Sequence, residues 1–163
     1  MSKTDNQHKP VIVLGLGNTL MRDEAVGVKL VQTLDEQNDR QFADVEFADY
    51  GTAGMRVLHA IANRRKAIIV DCALMDLPPG SIKRFTPDNV RSIKRMPGFS
   101  LHEGDLLSIL NLSSQLGEIP DETVIYGIEP EIVAPGEELS ETLATSFESY
   151  IAKIHEEIAT RPF

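Results

Sequence analysis

The stretch Val11-Ile-Val-Leu-Gly-Leu16 carries no polar side chain, and a glycine-rich loop follows it. A strand without alternating polar residues needs cover on both faces, which is the condition of a strand inside a parallel sheet. From Val26 the pattern changes. Val26, Leu30, Val31 and Leu34 recur at helical spacing, so the strand leads through the loop Gly17–Glu24 into an amphipathic helix. The alternation continues. Val45–Asp49 reads as a second strand, and Met55, Leu58, Ile61 and Ala62 mark a second helix. Ala67–Asp71 reads as a third strand and Ser81–Phe85 as a fourth. The link through Pro78-Pro79-Gly80 is too short for a helical crossover, so the fourth strand should pair antiparallel. Residues 86–99 read as irregular. A third helix is expected over 101–110, with Leu106, Leu107 and Leu110 inward and Ser100 and Glu103 at capping-box spacing. Thr123–Ile128 reads as a fifth strand, and 140–159 as a last helix with Leu143, Phe147, Tyr150, Ile151, Ile154 and Ile158 on one side.

Strands alternating with helices predict an α/β fold, a three-layer α/β/α sandwich around a mixed, mostly parallel five-stranded sheet. At 163 residues, one α/β domain spanning 1–163 is expected, with residues 1–9 as a flexible tail. No apolar run is long enough to cross a bilayer. The polar start, Met1 to Pro10, lacks the apolar core of a signal peptide, so a soluble, cytoplasmic protein without membrane association is expected. The formal net charge of -9 argues against nucleic-acid binding, which needs a basic surface. The single cysteine, Cys72, excludes an intramolecular disulfide and a cysteine-ligated zinc. Any metal site must draw on Asp, Glu and His.

Gly15-Leu-Gly17, between a strand and a helix, invites a dinucleotide reading. The fingerprint needs a third glycine where Leu20 stands, and Asp23 and Glu24 would face the pyrophosphate. No Gly-Lys-Ser/Thr follows, so a Walker loop is excluded as well. No nucleotide cofactor is expected.

Ligand sites in open α/β sheets form outside the carboxyl ends of the strands. Glu24 lies in the loop after the first strand, Asp71 closes the third, and His102 lies at the start of the third helix. Two carboxylates and an imidazole suit a divalent transition metal. Each also has a plainer reading. Glu24 can be a solvated charge near a helix start, Asp71 a turn cap, and His102 a surface residue. His8 falls in the tail, and His59 and His155 fall within helices at surface or boundary positions. Cys72 should point to the opposite side of its strand from Asp71, as a core residue. Neither a Gly-x-Ser-x-Gly elbow nor His-Glu-x-x-His is present.

Several stretches together resemble the hydrogenase maturation endopeptidases. The first is Gly15-Leu-Gly-Asn-Thr-Leu-Met-Arg-Asp-Glu-Ala-Val-Gly27, and the second Asp49-Tyr-Gly-Thr-Ala-Gly54, with Tyr50 where glycine is common. Ala67–Asp71, Ser100-Leu-His102 with Asp105-Leu-Leu, and Gly127-Ile-Glu-Pro-Glu131 follow in the same order. The resemblance implies a cytoplasmic endopeptidase that removes a C-terminal extension from the precursor of a nickel-iron hydrogenase large subunit after nickel insertion. It places the metal-binding and catalytic positions on Glu24, Asp71 and His102, with Asp23 set aside as a neighbour. The metal would be nickel, supplied by the substrate or held beside it. Asp49, Gly51 and Thr52 are candidates for orienting the substrate tail. Two other classes stay open: a nickel-binding maturation chaperone that does not cut, and a small-molecule-binding α/β module.

Overall fold

The computed structural model describes residues 8–38, 40–52, 54–89, 100–101 and 106–160. The strands are β1 Val11–Leu16, β2 Val45–Gly51, β3 Lys66–Leu74, β4 Ile82–Phe85, β5 Ser100–Leu101 and β6 Glu122–Ile128. The helices are α1 Val26–Gln37, α2 Gly54–Ile61, α3 Leu106–Gln115 and α4 Glu141–Ala159, and a 3₁₀ turn over Arg22–Ala25 leads into α1.

The main path of the sheet runs β2-β1-β3-β6-β4, and β5 pairs with β3 beside it. The pairings of β2 with β1, β1 with β3 and β3 with β6 are parallel, whereas β4 runs antiparallel to β6. The mixed, mostly parallel sheet expected from the sequence is therefore present. β4 is antiparallel as its short connection requires, but its partner is β6, which inserts between β3 and β4. Lys83 and Arg84 on this edge are exposed, and charged side chains there discourage pairing with another chain.

The three layers follow from strand alternation. Val11, Val13, Ile68, Val70, Cys72 and Val124 face one way and pack under α1 and α4. Ile12, Leu14, Ala67, Ile69, Ala73 and Ile125 face the other way, under α2 and α3. Covered on both sides, β1 is buried along its whole length, which is why its sequence has no polar alternation.

Two expectations shift at the third helix. Ser100 and Leu101 form the short β5 rather than a cap and first helical turn, pairing with Leu74 and Ala73 of β3. The helix is described from Leu106 and runs to Gln115, five residues past its expected end, with Leu106, Leu107 and Leu110 buried as predicted. Residues 87–89 take helical backbone within the stretch expected to be irregular; residues 90–99 lie outside the described residues. Of the expected tail, His8 and Lys9 are held by Arg64, whose guanidinium reaches the Lys9 carbonyl at 2.8 Å and His8 Nδ1 at 2.9 Å. Among the described residues no helix is long and apolar enough to cross a membrane.

Candidate active site

From β1 the chain first adds β2 on one side, then crosses to place β3 on the other. That reversal makes a topological switch point at the carboxyl ends of β1 and β3, the position of the crevice in which α/β sheets bind ligands. Glu24 sits in the 3₁₀ turn after β1 and is half-buried. Asp71 lies in β3 and is fully buried. It shares the strand face of Ala67, Ile69 and Ala73, while Cys72 turns into the opposite core.

Two glycines of the opening motif make this arrangement possible. Gly17 has φ +141°, and a Cβ there would stand 1.9 Å from the Glu24 carbonyl oxygen. Only a residue without a side chain lets the 3₁₀ turn fold back on the end of β1 and carry Glu24 over the crevice. A Cβ on Gly27 would stand 2.3 Å from the carbonyl oxygen of Val70. The absence of one lets α1 press against β3 next to Asp71. These glycines thus serve close packing of carboxylate-bearing segments.

The site is acidic. The Cys72 thiol is pushed far above its usual range, first by burial and then by the charges of Asp71, Glu24, Asp23 and Glu129. Asp71 is its neighbour in β3, Asp23 and Glu24 lie in the 3₁₀ turn after β1, and Glu129 directly follows β6, so Cys72 stays a protonated core residue, with no thiolate to act as nucleophile. Such a concentration of negative charge favours a cation. Among the described residues, no three His, Cys, Asp or Glu side chains form a group able to hold a metal ion. His102, the third member of the expected set, lies outside the described residues. Its predecessor Leu101 pairs with Ala73, two residues beyond Asp71, so β5 brings the chain beside the crevice.

The acidic pair divides its labour, a division the sequence did not disclose. Asp23 is fully buried. Its Oδ2 accepts hydrogen bonds from the backbone N–H groups of Glu131 (2.9 Å) and Ile132 (2.8 Å), and Oδ1 accepts from Ser140 N–H (2.7 Å). Asp23 is therefore an anchor. It ties the 3₁₀ turn to the loop after β6 and to the N-cap of α4. Burial opposes its ionisation, but the hydrogen bonds from Ile132, Ser140 and Glu131 outweigh burial and hold the carboxyl below the usual range. Glu129 is a second buried anchor, its Oε2 accepting from Met75 N–H at 2.6 Å. Both partnerships span long stretches of chain, so no local spacing could have shown them.

Asp23→Asn should destabilise the fold by about 1–3 kcal/mol, because an amide nitrogen then faces a backbone donor. The carboxylate's contribution is present above its unfolded value and is lost as pH falls through the lowered folded value. Urea unfolding at neutral and acid pH checks this: the gap between wild type and variant should narrow in acid.

The second motif falls on the neighbouring strand end. β2 carries one extra residue, Tyr50, as its register with β1 passes from Gly15–Asp49 to Leu16–Gly51. Tyr50 packs at the α2/α3 core, and the Arg56 guanidinium lies 5.4 Å from its ring centroid. Asp49 Oδ1 accepts from Gly51 N–H at 2.8 Å, and the Gly51 carbonyl accepts from Gly17 N–H at 2.9 Å. The Asp49–Thr52 segment is thus joined to the loop that carries Glu24, with Asp49 and Thr52 exposed. His59 is exposed on α2, and His155 packs against Phe42 with ring centroids 5.3 Å apart. Neither joins the crevice.

A doubly covered, mostly parallel sheet with Glu24 and Asp71 at its switch point defines an α/β protein whose ligand site is expected there. The HycI family, hydrogenase maturation protease, matches residues 28–157, which include Asp71 and His102 and begin after Glu24. The Hydrogenase 2 maturation protease of Escherichia coli K12 is 33% identical over 147 residues, covering 88% of this chain and 87% of that protein. The solved structure of the hydrogenase maturating endopeptidase HybD from E. coli superposes with a TM-score of 0.80 at 30% identity, covering 91% of each chain. The hydrogenase expression/formation protein HupD of Thiocapsa roseopersicina is 30% identical over 120 residues, and the match spans 54% of that longer relative. The chain belongs to the hydrogenase maturation protease family.

Proposed function

We propose that the protein is a cytoplasmic endopeptidase that removes the C-terminal extension of a nickel-iron hydrogenase large-subunit precursor once nickel is in place. One observation carries the site: Glu24, in the turn after β1, and Asp71, in β3, lie at the β1/β3 switch point, with Asp23 in the same turn and Glu129 directly after β6. Family membership supplies the class of substrate.

In this reading Glu24, Asp71 and His102 engage the nickel of the precursor. The donor set fits, because carboxylate and imidazole ligands suit nickel and no thiolate competes, Cys72 being buried and protonated. Nickel then marks a completed assembly, and once bound it can polarise the scissile carbonyl or lower the pKa of a bound water. Around it the chain's own residues have distinct tasks. Asp23 fixes the turn that presents Glu24, the close approach at Gly27 seats α1 against β3, and the Asp49–Thr52 segment orients the tail to be removed.

Incubation with a matched precursor tests the reading against a non-cutting chaperone. Shortening of the precursor on a gel is expected; tight binding without shortening would favour the chaperone.

A further inference from the structure

Five large apolar side chains are strongly exposed among the described residues: Leu20, Met55, Leu74, Leu116 and Val133. Four of them lie at one end of the molecule. Leu20 follows β1, Met55 opens α2 just after β2, Leu74 closes β3, and Val133 follows β6. Scattered exposed leucines need no explanation, but apolar groups gathered at one end mark an interaction surface. Backbone bonds join their segments. Gly136 N–H donates to the Leu20 carbonyl at 2.9 Å, Asp23 N–H donates to the Ile132 carbonyl at 3.1 Å, and Gly17 N–H donates to the Gly51 carbonyl at 2.9 Å. Only Leu116 stands apart. It follows α3 and lies near Asn63 and Glu118, which are bonded to each other through their backbones at the amino end of the sheet.

Among the described residues, carboxylates are the more numerous charges on this rim. Asp49, Asp76 and Glu131 are exposed between the apolar groups, with Glu24 half-buried among them. Among the described residues, three cations at this end have neutral partners. Arg22 donates to the Glu138 carbonyl, Lys29 to the Glu137 carbonyl, and Arg56 lies over the Tyr50 ring.

We infer that Leu20, Met55, Leu74 and Val133 form the docking surface for an apolar, basic stretch of the precursor polypeptide, which lies across the strand ends and is thereby held over Glu24 and Asp71. The inference rests on the proposed function, and two features select this occupant: the rim is continuous with the crevice, and its charge is complementary to a basic chain. The apolar groups supply affinity, and the carboxylates supply steering that salt weakens.

The test is calorimetric binding of nickel-loaded precursor, alongside steady-state cleavage, for wild type and for Leu20→Asp, Leu74→Asp, Val133→Asp and Leu116→Asp. All four positions are exposed, and circular dichroism verifies folding. Each rim variant should bind about tenfold more weakly, with KM rising more than kcat falls, while Leu116→Asp matches wild type. Wild-type affinity should also fall as salt is raised. Wild-type affinity in the rim variants, an equal loss in Leu116→Asp, or no binding by wild type would overturn the docking surface. Wild type that binds precursor without cutting it, with rim variants that fail to bind, would overturn the protease reading and leave the docking surface supported.

Discussion

On the proposed role of Asp71, Asp71→Asn should cut precursor cleavage on the order of 10³-fold, because a carboxylate that engaged the metal would supply several kcal/mol of transition-state stabilisation. Glu24→Gln should behave alike. The loss should come without unfolding. Asp71 is fully buried in β3, and a buried carboxylate is costly to keep charged. The amide keeps the shape of the side chain, so Asp71→Asn should still unfold cooperatively in a melt while losing activity. Single-turnover cleavage and a thermal melt of the same preparation check both halves. Full activity in Asp71→Asn and Glu24→Gln would remove these residues from the mechanism. A variant that is inactive because it fails to fold would show it in the melt.

Glu157→Ala should cost roughly 3–5 kcal/mol, because it strands a buried cation. Glu157, near the end of α4, is buried, and its Oε2 accepts from Lys66 Nζ at 2.7 Å. Its Oε1 accepts from Arg84 Nε at 2.5 Å and from the Tyr126 hydroxyl at 2.7 Å. Among the described residues, Lys66, equally buried, would keep Glu122 at 3.5 Å as its ionic partner. Burial opposes the charge on Glu157, but Arg84, Lys66 and Tyr126 hold its carboxyl at about 2, against a usual 4.5. A depression of that size is worth roughly 3 kcal/mol. The contribution is complete above the unfolded value and is lost as pH falls through about 2, so wild type and Glu157→Ala should converge in acid. Denaturant titrations at pH 7 and pH 3 read this directly. Replacing Lys66 and Glu157 together by apolar residues should recover much of the loss, since an apolar pair can substitute for a buried ion pair. Lys66 and Glu122 lie at the amino ends of β3 and β6, and Tyr126 turns to the face of β6 opposite that of Asp71 in β3, so activity per folded molecule should hold.

The elements most legible in the sequence were those whose burial leaves a local trace. β1 matches its apolar run residue for residue because both faces are covered. α4 matches because Leu143, Tyr150, Ile151 and Ile154 bury one stripe, and Ser140 caps it by accepting from Leu143 N–H. β3 runs past Asp71 to Leu74; a charge looks like the end of an apolar run, yet here it is buried within the strand. β5, two residues long, has no periodicity to read, and its pairing with β3 displaced the expected helix start. The partner of β4 depends on where β6 inserts, which no spacing encodes.

The site divides the same way. Glu24 and Asp71 were singled out from position; Glu24 does lie in the turn after β1, whereas Asp71 lies within β3, beside the end of β1. The role of Asp23 was not legible. A carboxylate adjacent to Glu24 in sequence looks equivalent to it, and only backbone donors more than a hundred residues away turn it inward.

Mass spectrometry of a matched large-subunit precursor, nickel-loaded and nickel-free, after incubation with the protein tests the central claim most directly. The account predicts a single C-terminal truncation in the nickel-loaded precursor and intact mass in the nickel-free one, with both intact when Asp71→Asn replaces wild type. An unshortened nickel-loaded precursor, or equal cleavage of both forms, would contradict it.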